Sequence, residues 1–454
     1  MEEKKLGKFD AFMLIICGIM FADTIASNSS TGVTSMSWWV ILGALYMIPS
    51  GFIIGELSGA YPGEGGIYDW ILNGLGPRWA ARTSWLFFCC GLFIPVSSFI
   101  MCSDILFTLF APSAGMTIRV IVAIIFIWVF AFVSTRPMSE AQGLTNAAGL
   151  VKLALFVGVF TMGIVYLAKG GVIANDMSAA ALAPQPSDTL MYLPVILYCC
   201  TGMELASASA ESFDNPAKVL PKVIVGSAVL AVVLNIIACW GMLTIIPLDS
   251  IDLDLGLLDV FKIATGSDVV YTIVGLLFVF GVFVQCVTWQ VGGNRGTCES
   301  AKSGELPAIL GREHNGQPIG AILICCILGT VLLILYAIFA DSASDLFFSL
   351  LSCGVIGSLL PYVFMLIAYQ RLKKNGGFDH YDGFKAPAGV AFSWICQILQ
   401  VVTLFLCFYI PGAGWNDAVV TNTLGALIMI VSGEIAIRWA AKHPAPELAE
   451  EKAE

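Results

Sequence analysis

An apolar run that stops at a polar segment near the N-terminus decides the fold. Residues 12–32 read FMLIICGIMF and then ADTIASNSSTG. The first part is apolar enough for a lipid bilayer, whereas the second carries Asp23 and a series of small or hydroxyl-bearing residues. Such residues at the middle of a membrane helix leave backbone groups unpaired, which is costly in lipid unless they line a cavity or are buried in protein. The stretch therefore predicts a membrane helix that is interrupted beside a cavity.

The whole chain has the composition of a membrane protein. Of its 454 residues, 58% are hydrophobic and only 12% are charged, whereas a soluble domain has about 25% charged residues. A spanning helix needs about 20 mostly apolar residues, and twelve such runs follow one another. We number these runs as spans 1 to 12; they cover 11–35, 38–60, 83–110, 117–135, 145–168, 189–214, 222–246, 269–292, 317–340, 344–370, 387–410 and 418–441. We expect an all-α polytopic membrane protein with twelve transmembrane helices.

The basic residues predict how this protein is oriented. Twelve spans place both termini on one side of the membrane. With the N-terminus in the cytoplasm, all but four of the 22 Lys and Arg lie in cytoplasmic segments, as the positive-inside rule requires. The four exceptions are Arg119, Lys152, Lys169 and Lys262. We therefore expect a multi-pass protein of the cell membrane with both termini cytoplasmic, in which residues 1–443 form one transmembrane domain and 444–454 a disordered tail.

Span 6 is interrupted in the same way as span 1. Its apolar run gives way to YCCTGME at residues 198–204. Interrupted helices at corresponding positions of two halves point to a transport site. Spans 1 and 6 are five helices apart, and because five is odd, two such units would have opposite orientations. We expect inverted repeats over about 11–168 and 189–370 with two extra helices over 387–441; the alternative is a coincidence of two polar kinks.

Three further motifs follow spans 2, 6 and 8. The first is ELSGAYPGEGGIYDW at residues 56–70, the second is GME at 202–204 followed by ESFDNP at 211–216, and the third runs from NR at 294–295 to GELP at 304–307. In this order they resemble the amino acid–polyamine–organocation family, and the EGGIYDW variant is most similar to its branch of glutamate/amine exchangers and related permeases. The chain differs from the family in span 1, where members usually carry a glycine-rich break.

This resemblance implies where substrate is bound. In the family, the unwound backbone of spans 1 and 6 binds the carboxylate and the amine of a substrate, which agrees with the partial charges of half-helix ends. The corresponding residues here are Asp23, Thr24, Ile25, Ala26, Ser27, Tyr198, Cys199, Thr201, Gly202 and Glu204. We expect no cofactor, since no Cys or His cluster has metal-site spacing.

Three of these residues have specific alternative roles. Asp23 is an acid inside a span, and such residues are functional hypotheses by default; it could bind a substrate ammonium or titrate a coupling proton, or it could be a solvated acid at a cavity mouth. Glu204 matches the family's glutamate, which implies substrate gating or proton coupling; it could instead cap the second half-helix. Tyr198 matches a gating aromatic, although tyrosine in a span is often packing.

Lys152 is the only lysine well inside a span. Sodium-independent members of the family often hold a lysine at this place, so the resemblance implies that its ammonium replaces a coupling cation. The alternative is that the side chain snorkels to the cytoplasmic interface. Lys373, in the loop after span 10, is expected to be a surface lysine.

The remaining polar residues of the spans are weaker candidates. Asp104 is expected at an interface, and Gln285 and Trp289 in helix packing. Tyr61, Glu64 and Arg295 are expected to build an intracellular gate region.

The function that fits these features is secondary transport of amino acids or related amines, sodium-independent and proton-coupled or by exchange. The alternatives are a polyamine or monoamine uptake permease and a non-transporting sensor with the same fold. We expect no enzyme, since no G-x-S-x-G or H-E-x-x-H motif is present and no span contains a histidine. The expected partners are a small-molecule substrate and the lipid bilayer, with no nucleic acid.

Overall fold

A computed structural model describes residues 5–136, 138–184, 193–339, 343–408 and 417–443, and most of these residues are helical. Ten helices of this part are long and apolar enough to cross a membrane; predicted spans 6 and 9 are not among them, so the count of twelve stays a prediction. The uninterrupted spans are Pro77–Phe110 (span 3), Met116–Ser134 (4), Met138–Ala168 (5), Pro216–Ile245 (7), Asp268–Lys302 (8), Ile319–Phe339 (9), Ala343–Lys374 (10), Gly389–Phe408 (11) and Asp417–Lys442 (12). The polytopic helical fold expected from the apolar runs is therefore confirmed.

Three spans are built from shorter pieces. Span 1 consists of helix Lys8–Ile19, a 3₁₀ turn Ala22–Thr24 and helix Ile25–Ser29. Span 2 runs from Thr34 to Ala60 and contains one π-helical turn at Gly43–Met47. Span 6 consists of helix Leu193–Tyr198 and the 3₁₀ helix Met203–Ser212, which meet at a non-helical link. Both interrupted helices thus occur in the spans where the sequence predicts them.

Several helices are longer than their apolar runs. Span 3 begins six residues before the predicted start at residue 83, and span 8 continues ten residues beyond the predicted end at residue 292. Polar residues do not end a helix where it leaves the hydrocarbon layer, because water or neighbouring side chains can then solvate them. Hydropathy therefore marks the bilayer-embedded part of a helix rather than its ends.

The interior of the molecule lies around spans 1 and 3. Within their most apolar 18-residue windows, 83% of span 1 and 94% of span 3 is buried, compared with 28% of span 4 and of span 5. The outer spans expose large apolar side chains such as Phe132 and Ile428, as expected of helices that face lipid. The breaks of spans 1 and 6 are therefore held by protein on all sides rather than by lipid.

Two expectations fall at least partly on residues outside the described ranges. The tail at 444–454 and the start of predicted span 6 lie there. The division into inverted repeats and the cytoplasmic position of the termini remain predictions.

Candidate functional site

The helix of span 1 ends earlier than the polar residues suggest. Met20 and Phe21 have extended backbones, with ψ values of 90° and 88°, and Asp23 lies in the 3₁₀ turn that follows. The break thus comes two residues before Ala22. Helix Lys8–Ile19 leaves carbonyls at its C-terminal end without helical partners, and two of them accept side-chain hydrogen bonds. The Lys152 Nζ donates to the Cys17 carbonyl at 2.7 Å, and the Trp289 Nε1 donates to the Gly18 carbonyl at 2.9 Å.

The break of span 6 turns on Gly202. Its φ of +103° lies in the left-handed region that favours glycine. A Cβ at this position would also lie 2.8 Å from Cζ2 of Trp289. Both the backbone angle and the close approach of span 8 therefore require glycine here.

Glu204 holds the start of the second piece of span 6 together. The Gly202 N–H donates to Glu204 Oε2 at 3.1 Å and to the Tyr362 hydroxyl at 2.8 Å, and that hydroxyl donates to Glu204 Oε2. This is the capping geometry that was one of the two alternatives for Glu204. The other oxygen, Oε1, is buried and has no hydrogen-bond partner within the described residues. Glu204 thus caps a half-helix with one oxygen and leaves the other for a further partner.

Asp23 and Lys152 are buried opposite charges on spans 1 and 5. Lys152 is fully buried, and its ammonium donates to Gln285 Oε1 as well as to the Cys17 carbonyl. The Asp23 carboxylate interacts electrostatically with Lys152 and with the Gln285 amide. Neither Asp23 oxygen accepts a close hydrogen bond from the described part of the chain. Lys152 therefore does not snorkel to the interface; it is bonded to the end of the first half-helix.

An aromatic cluster lies between the two breaks. The rings of Phe21 and Tyr198 are 4.6 Å apart, and those of Phe21 and Trp289 are 6.0 Å apart. All three side chains are at least 96% buried. Aromatic faces attract cations within about 6 Å. Together with the adjacent carboxylates, the cluster is suited to an amine-bearing ligand.

The other predicted site residues divide into two groups. Thr24 Oγ1 and Cys199 Sγ are 3.1 Å apart, which joins the two breaks directly, and Thr201 bonds the Tyr198 carbonyl within its own span. Ile25 is buried beside them. Ala26 instead lies 3.3 Å from where a Cβ of Gly256 would be, and Ser27 is partly exposed. These last two do not join the cluster formed by the others.

Four residues at the breaks are not among the binding residues that the sequence predicts. Phe21 and Tyr362 were not proposed, and Gln285 and Trp289 were expected to serve in packing. For all four, the contacts run between spans that are distant in sequence, so no local pattern predicts them.

The cytoplasmic end expected from topology is closed by polar contacts. Arg295 pairs with Glu64 at 2.6 Å and also donates to the Ala208 carbonyl, and the gate role expected for Tyr61, Glu64 and Arg295 stays a prediction. Burial raises the pKa of the Glu64 carboxyl although Arg295 opposes this, and it raises the pKa of Asp69 to about 6. The Leu6 N–H donates to the Ser212 carbonyl at 2.8 Å, so the N-terminal segment covers the end of span 6.

Lys373 is not the surface lysine that its loop position suggested. Its ammonium lies 2.5 Å from Glu56, a side chain of span 2 that is only 1% exposed. The hydroxyl of Tyr369 and the Ala386 N–H donate to the same carboxylate. A buried acid recruits the lysine, because an unpaired carboxylate at this depth would be costly. Lys374 is exposed and serves as a surface lysine instead.

The weaker candidate Asp104 pairs with Arg119 near the opposite end of span 3. Ligand atoms of Cys298, Glu299 and Glu313 lie within 4.8 Å of one another near the C-terminal end of span 8. The Lys302 ammonium lies 2.9 Å from Glu299 and 2.7 Å from Glu313 and balances these acids. This group is therefore an ion-pair network.

Two narrow cavities reach the breaks from the side of the gate. One is lined by residues that include Thr145, Leu205 and Thr288, and the other extends from Glu204 to Tyr68 and Ser84. Their volumes are ≈ 20 Å³ and ≈ 10 Å³, and a cavity needs about 10–15 Å³ to hold one water molecule. Neither of these two cavities therefore has room for an amino acid or an amine.

Comparison with known proteins identifies relatives over nearly the whole chain. The amino acid permease family matches residues 6–432. A probable agmatine/putrescine antiporter, AguD of Lactococcus lactis, is 27% identical over 447 residues, which cover 96% of this chain and 95% of the relative. A glutamate/gamma-aminobutyrate antiporter of L. lactis is 21% identical and covers 95% of this chain and 89% of its own length. The resemblance to this family that the motifs indicated is confirmed.

A solved structure shares the fold at low identity. The crystal structure of a manganese transporter from Eremococcus coleocola superposes with a TM-score of 0.51 and 13% identity, and covers 94% of each chain. At this identity the likeness concerns the arrangement of helices alone.

Proposed function

The chain belongs to the amino acid permease family and transports amino acids or related amines, and we propose that it is a sodium-independent exchanger whose substrates carry a cationic amine. Its antiporter relatives are named for agmatine and putrescine or for glutamate and gamma-aminobutyrate. Each of these compounds carries at least one ammonium or guanidinium group at neutral pH. An amine or guanidinium head is therefore the chemical feature that the proposed substrates share.

The observation that carries this proposal is the pair of incompletely bonded carboxylates. Both oxygens of Asp23 and Oε1 of Glu204 are buried and have no hydrogen-bond partner among the described residues. Leaving a buried hydrogen-bond acceptor without a partner costs about 1–3 kcal/mol, and the cost is larger when the acceptor is charged. A bound ammonium would supply donors to either carboxylate and would lie against the aromatic cluster of Phe21, Tyr198 and Trp289. Site residues on both breaks thus favour a cation over an anion.

Lys152 supports transport without sodium. Its ammonium is a fixed positive charge that bonds a carbonyl at the end of the first half-helix. Carbonyls at broken helices are the groups that coordinate Na⁺ in transporters of this architecture. We propose that the Lys152 ammonium permanently takes the place of the sodium ion, so that a bound metal ion is not needed.

We expect exchange to be independent of sodium. Proteoliposomes loaded with unlabelled putrescine would be placed in labelled agmatine, and initial uptake would be compared in sodium and in choline buffers at one pH. Equal rates are expected, and uptake should fall to background when the vesicles contain no amine. Glutamate with internal gamma-aminobutyrate provides the second substrate pair.

The outcomes of this assay separate the proposal from its alternatives. Uptake into empty vesicles at the same rate would indicate a permease rather than an exchanger. A strict sodium requirement would contradict the role of Lys152. Absence of flux with every amine and amino acid, while ligands still raise the thermal unfolding midpoint, would indicate a sensor.

We expect Glu204 to determine the pH dependence of transport. Glu204→Gln keeps the shape of the side chain and its bond to Tyr362, but removes the titration. The pH–rate profile of exchange should therefore flatten in the variant, whereas Asp214→Asn, a change at an exposed residue beyond the 3₁₀ helix Met203–Ser212, should leave the profile as in the wild type. Identical profiles for Glu204→Gln and the wild type would assign proton coupling elsewhere, with Asp23 next.

We propose further that the chain acts as a transporter alone, without enzymatic activity, since the family and the relatives are transporters. The protein is a multi-pass membrane protein, and we propose that its termini lie in the cytoplasm, as the distribution of Lys and Arg predicts.

A further inference from the structure

Spans 3, 10 and 12 enclose a groove that is separate from the breaks. Its volume of ≈ 220 Å³ is far larger than that of either cavity at the site. The walls are mostly apolar and include Trp79, Trp85, Leu360, Phe364, Met429 and Ile430. We call this feature the span 3–12 groove.

The aromatic walls of the groove are fixed by bonds and close packing. Trp85 Nε1 donates to the Met429 carbonyl and to the Ser432 hydroxyl, both at 3.1 Å. Trp85 can pack here because residue 433 is glycine; a Cβ on residue 433 would lie only 2.7 Å from Cδ1 of Trp85. On the opposite wall, the rings of Trp79 and Phe364 are 4.9 Å apart. The groove is therefore preformed and does not depend on an occupant to hold it open.

Cations outnumber acids at the groove. Arg82 pairs with Glu434 at 2.5 Å and lies 4.9 Å above the Trp79 ring, and both charged side chains are about one-third exposed. Arg438 is exposed and acts electrostatically on the same glutamate. Arg78 is also exposed, and it precedes Arg82 by one helical turn, which places both on one face of span 3. Arg82 and Glu434 line the groove as a pair, and Arg78 and Arg438 each lie one helical turn from one of them, so this region of the surface carries three guanidinium groups and one carboxylate.

The groove lies at the depth of lipid headgroups. Arg82 is five residues after Pro77, the first residue of span 3, which corresponds to about 7.5 Å along the helix. Tryptophan residues such as Trp79 and Trp85 concentrate at this level of a bilayer. The groove accordingly offers apolar walls toward the hydrocarbon layer and positive charge toward the headgroups.

We propose that the span 3–12 groove binds an anionic phospholipid from the leaflet on the side of the chain termini. One acyl chain lies between Trp85 and Phe364, and the phosphate is bound by Arg82 and Arg438. An apolar groove alone would accept any acyl chain, but the excess of guanidinium groups selects a negatively charged headgroup. This site is independent of the amine substrate and of the breaks.

Native mass spectrometry of the full chain in detergent tests this site. Phosphatidylglycerol and phosphatidylcholine would be titrated separately, and the wild type should retain phosphatidylglycerol preferentially. Arg78→Gln and Arg438→Gln should each lower phosphatidylglycerol retention about fivefold, the change associated with one basic residue near a membrane surface. Phosphatidylcholine, whose phosphate is balanced by its own choline cation, should lose less retention than phosphatidylglycerol in both variants. Lys222→Gln, which removes an exposed lysine at the start of span 7, should alter neither lipid.

A second variant tests the groove itself. Ile430 is 49% exposed on the groove wall, so Ile430→Trp should fill the space without disturbing the core and should lower retention of both lipids. Equal retention of the two lipids by the wild type would overturn the proposal. So would unchanged phosphatidylglycerol retention in the arginine variants. A dimer mass that disappears in Ile430→Trp would show that a second copy of the chain, rather than lipid, occupies the groove.

Discussion

Replacing Lys152 with alanine is expected to abolish transport. The change removes the donor to the Cys17 carbonyl and to Gln285, and it leaves Asp23 as a buried charge without its opposite partner. Leaving a buried charge without the opposite charge that compensates it costs about 3–5 kcal/mol. Apart from this cost in stability, the site loses the positive charge that takes the cation's place, and we expect uptake to fall roughly a hundredfold or more, which corresponds to about 3 kcal/mol at the site. Initial exchange rates in proteoliposomes, normalised to the amount of inserted protein, measure this effect.

The matched control for this change is Lys374→Ala, which removes an exposed lysine and should leave uptake unchanged. Lys373 is not a suitable control, because it is paired with the buried Glu56. The double variant Asp23→Asn, Lys152→Ala carries no uncompensated charge, so it should recover the thermal unfolding midpoint while transport stays lost. Near-normal sodium-free uptake by Lys152→Ala would contradict the assignment of Lys152 to the cation's place.

Asp23→Asn is expected to weaken the binding of amine-bearing substrates about tenfold to a hundredfold. The carboxylate is buried at the break with both oxygens free of close hydrogen bonds among the described residues, so a substrate ammonium would be a principal partner. A hydrogen bond to a charged group contributes about 1.5–3 kcal/mol. Asparagine keeps the size of the side chain and spares the packing of the 3₁₀ turn. Dissociation constants for agmatine and putrescine, measured by isothermal calorimetry, give the change directly.

An exposed acid provides the control for this second variant. Asp249 lies in the loop after span 7, and Asp249→Asn should leave amine affinity unchanged. Wild-type affinity in Asp23→Asn would show that Asp23 is a structural acid. The preference for amines would then rest on Glu204 and the aromatic cluster.

Much of the site near the breaks could be predicted because acids are rare within apolar runs. Asp23 and Glu204 were evident on this ground, and the structure places both beside the interruptions. The position of the first break was harder to predict, because the helix ends at Ile19, four residues before the first polar residue of the interruption, Asp23. The end of the helix is fixed by Lys152 and Trp289, whose side chains donate to carbonyls of its last turn. These donors are distant in sequence, so the local hydropathy does not indicate them.

By itself the sequence determined the helical membrane fold, the two interrupted spans and the family. The physical reason is that lipid offers no hydrogen bonds to the backbone, so each long apolar run must become a helix, and each polar interruption must be accommodated by protein. Which side chains bond to one another between spans was decided by the tertiary structure alone. Tyr362 bonds Glu204 across 158 residues, and Lys152 meets Gln285 across 133. Hydropathy and motif spacing are local properties, whereas these contacts depend on how the spans pack.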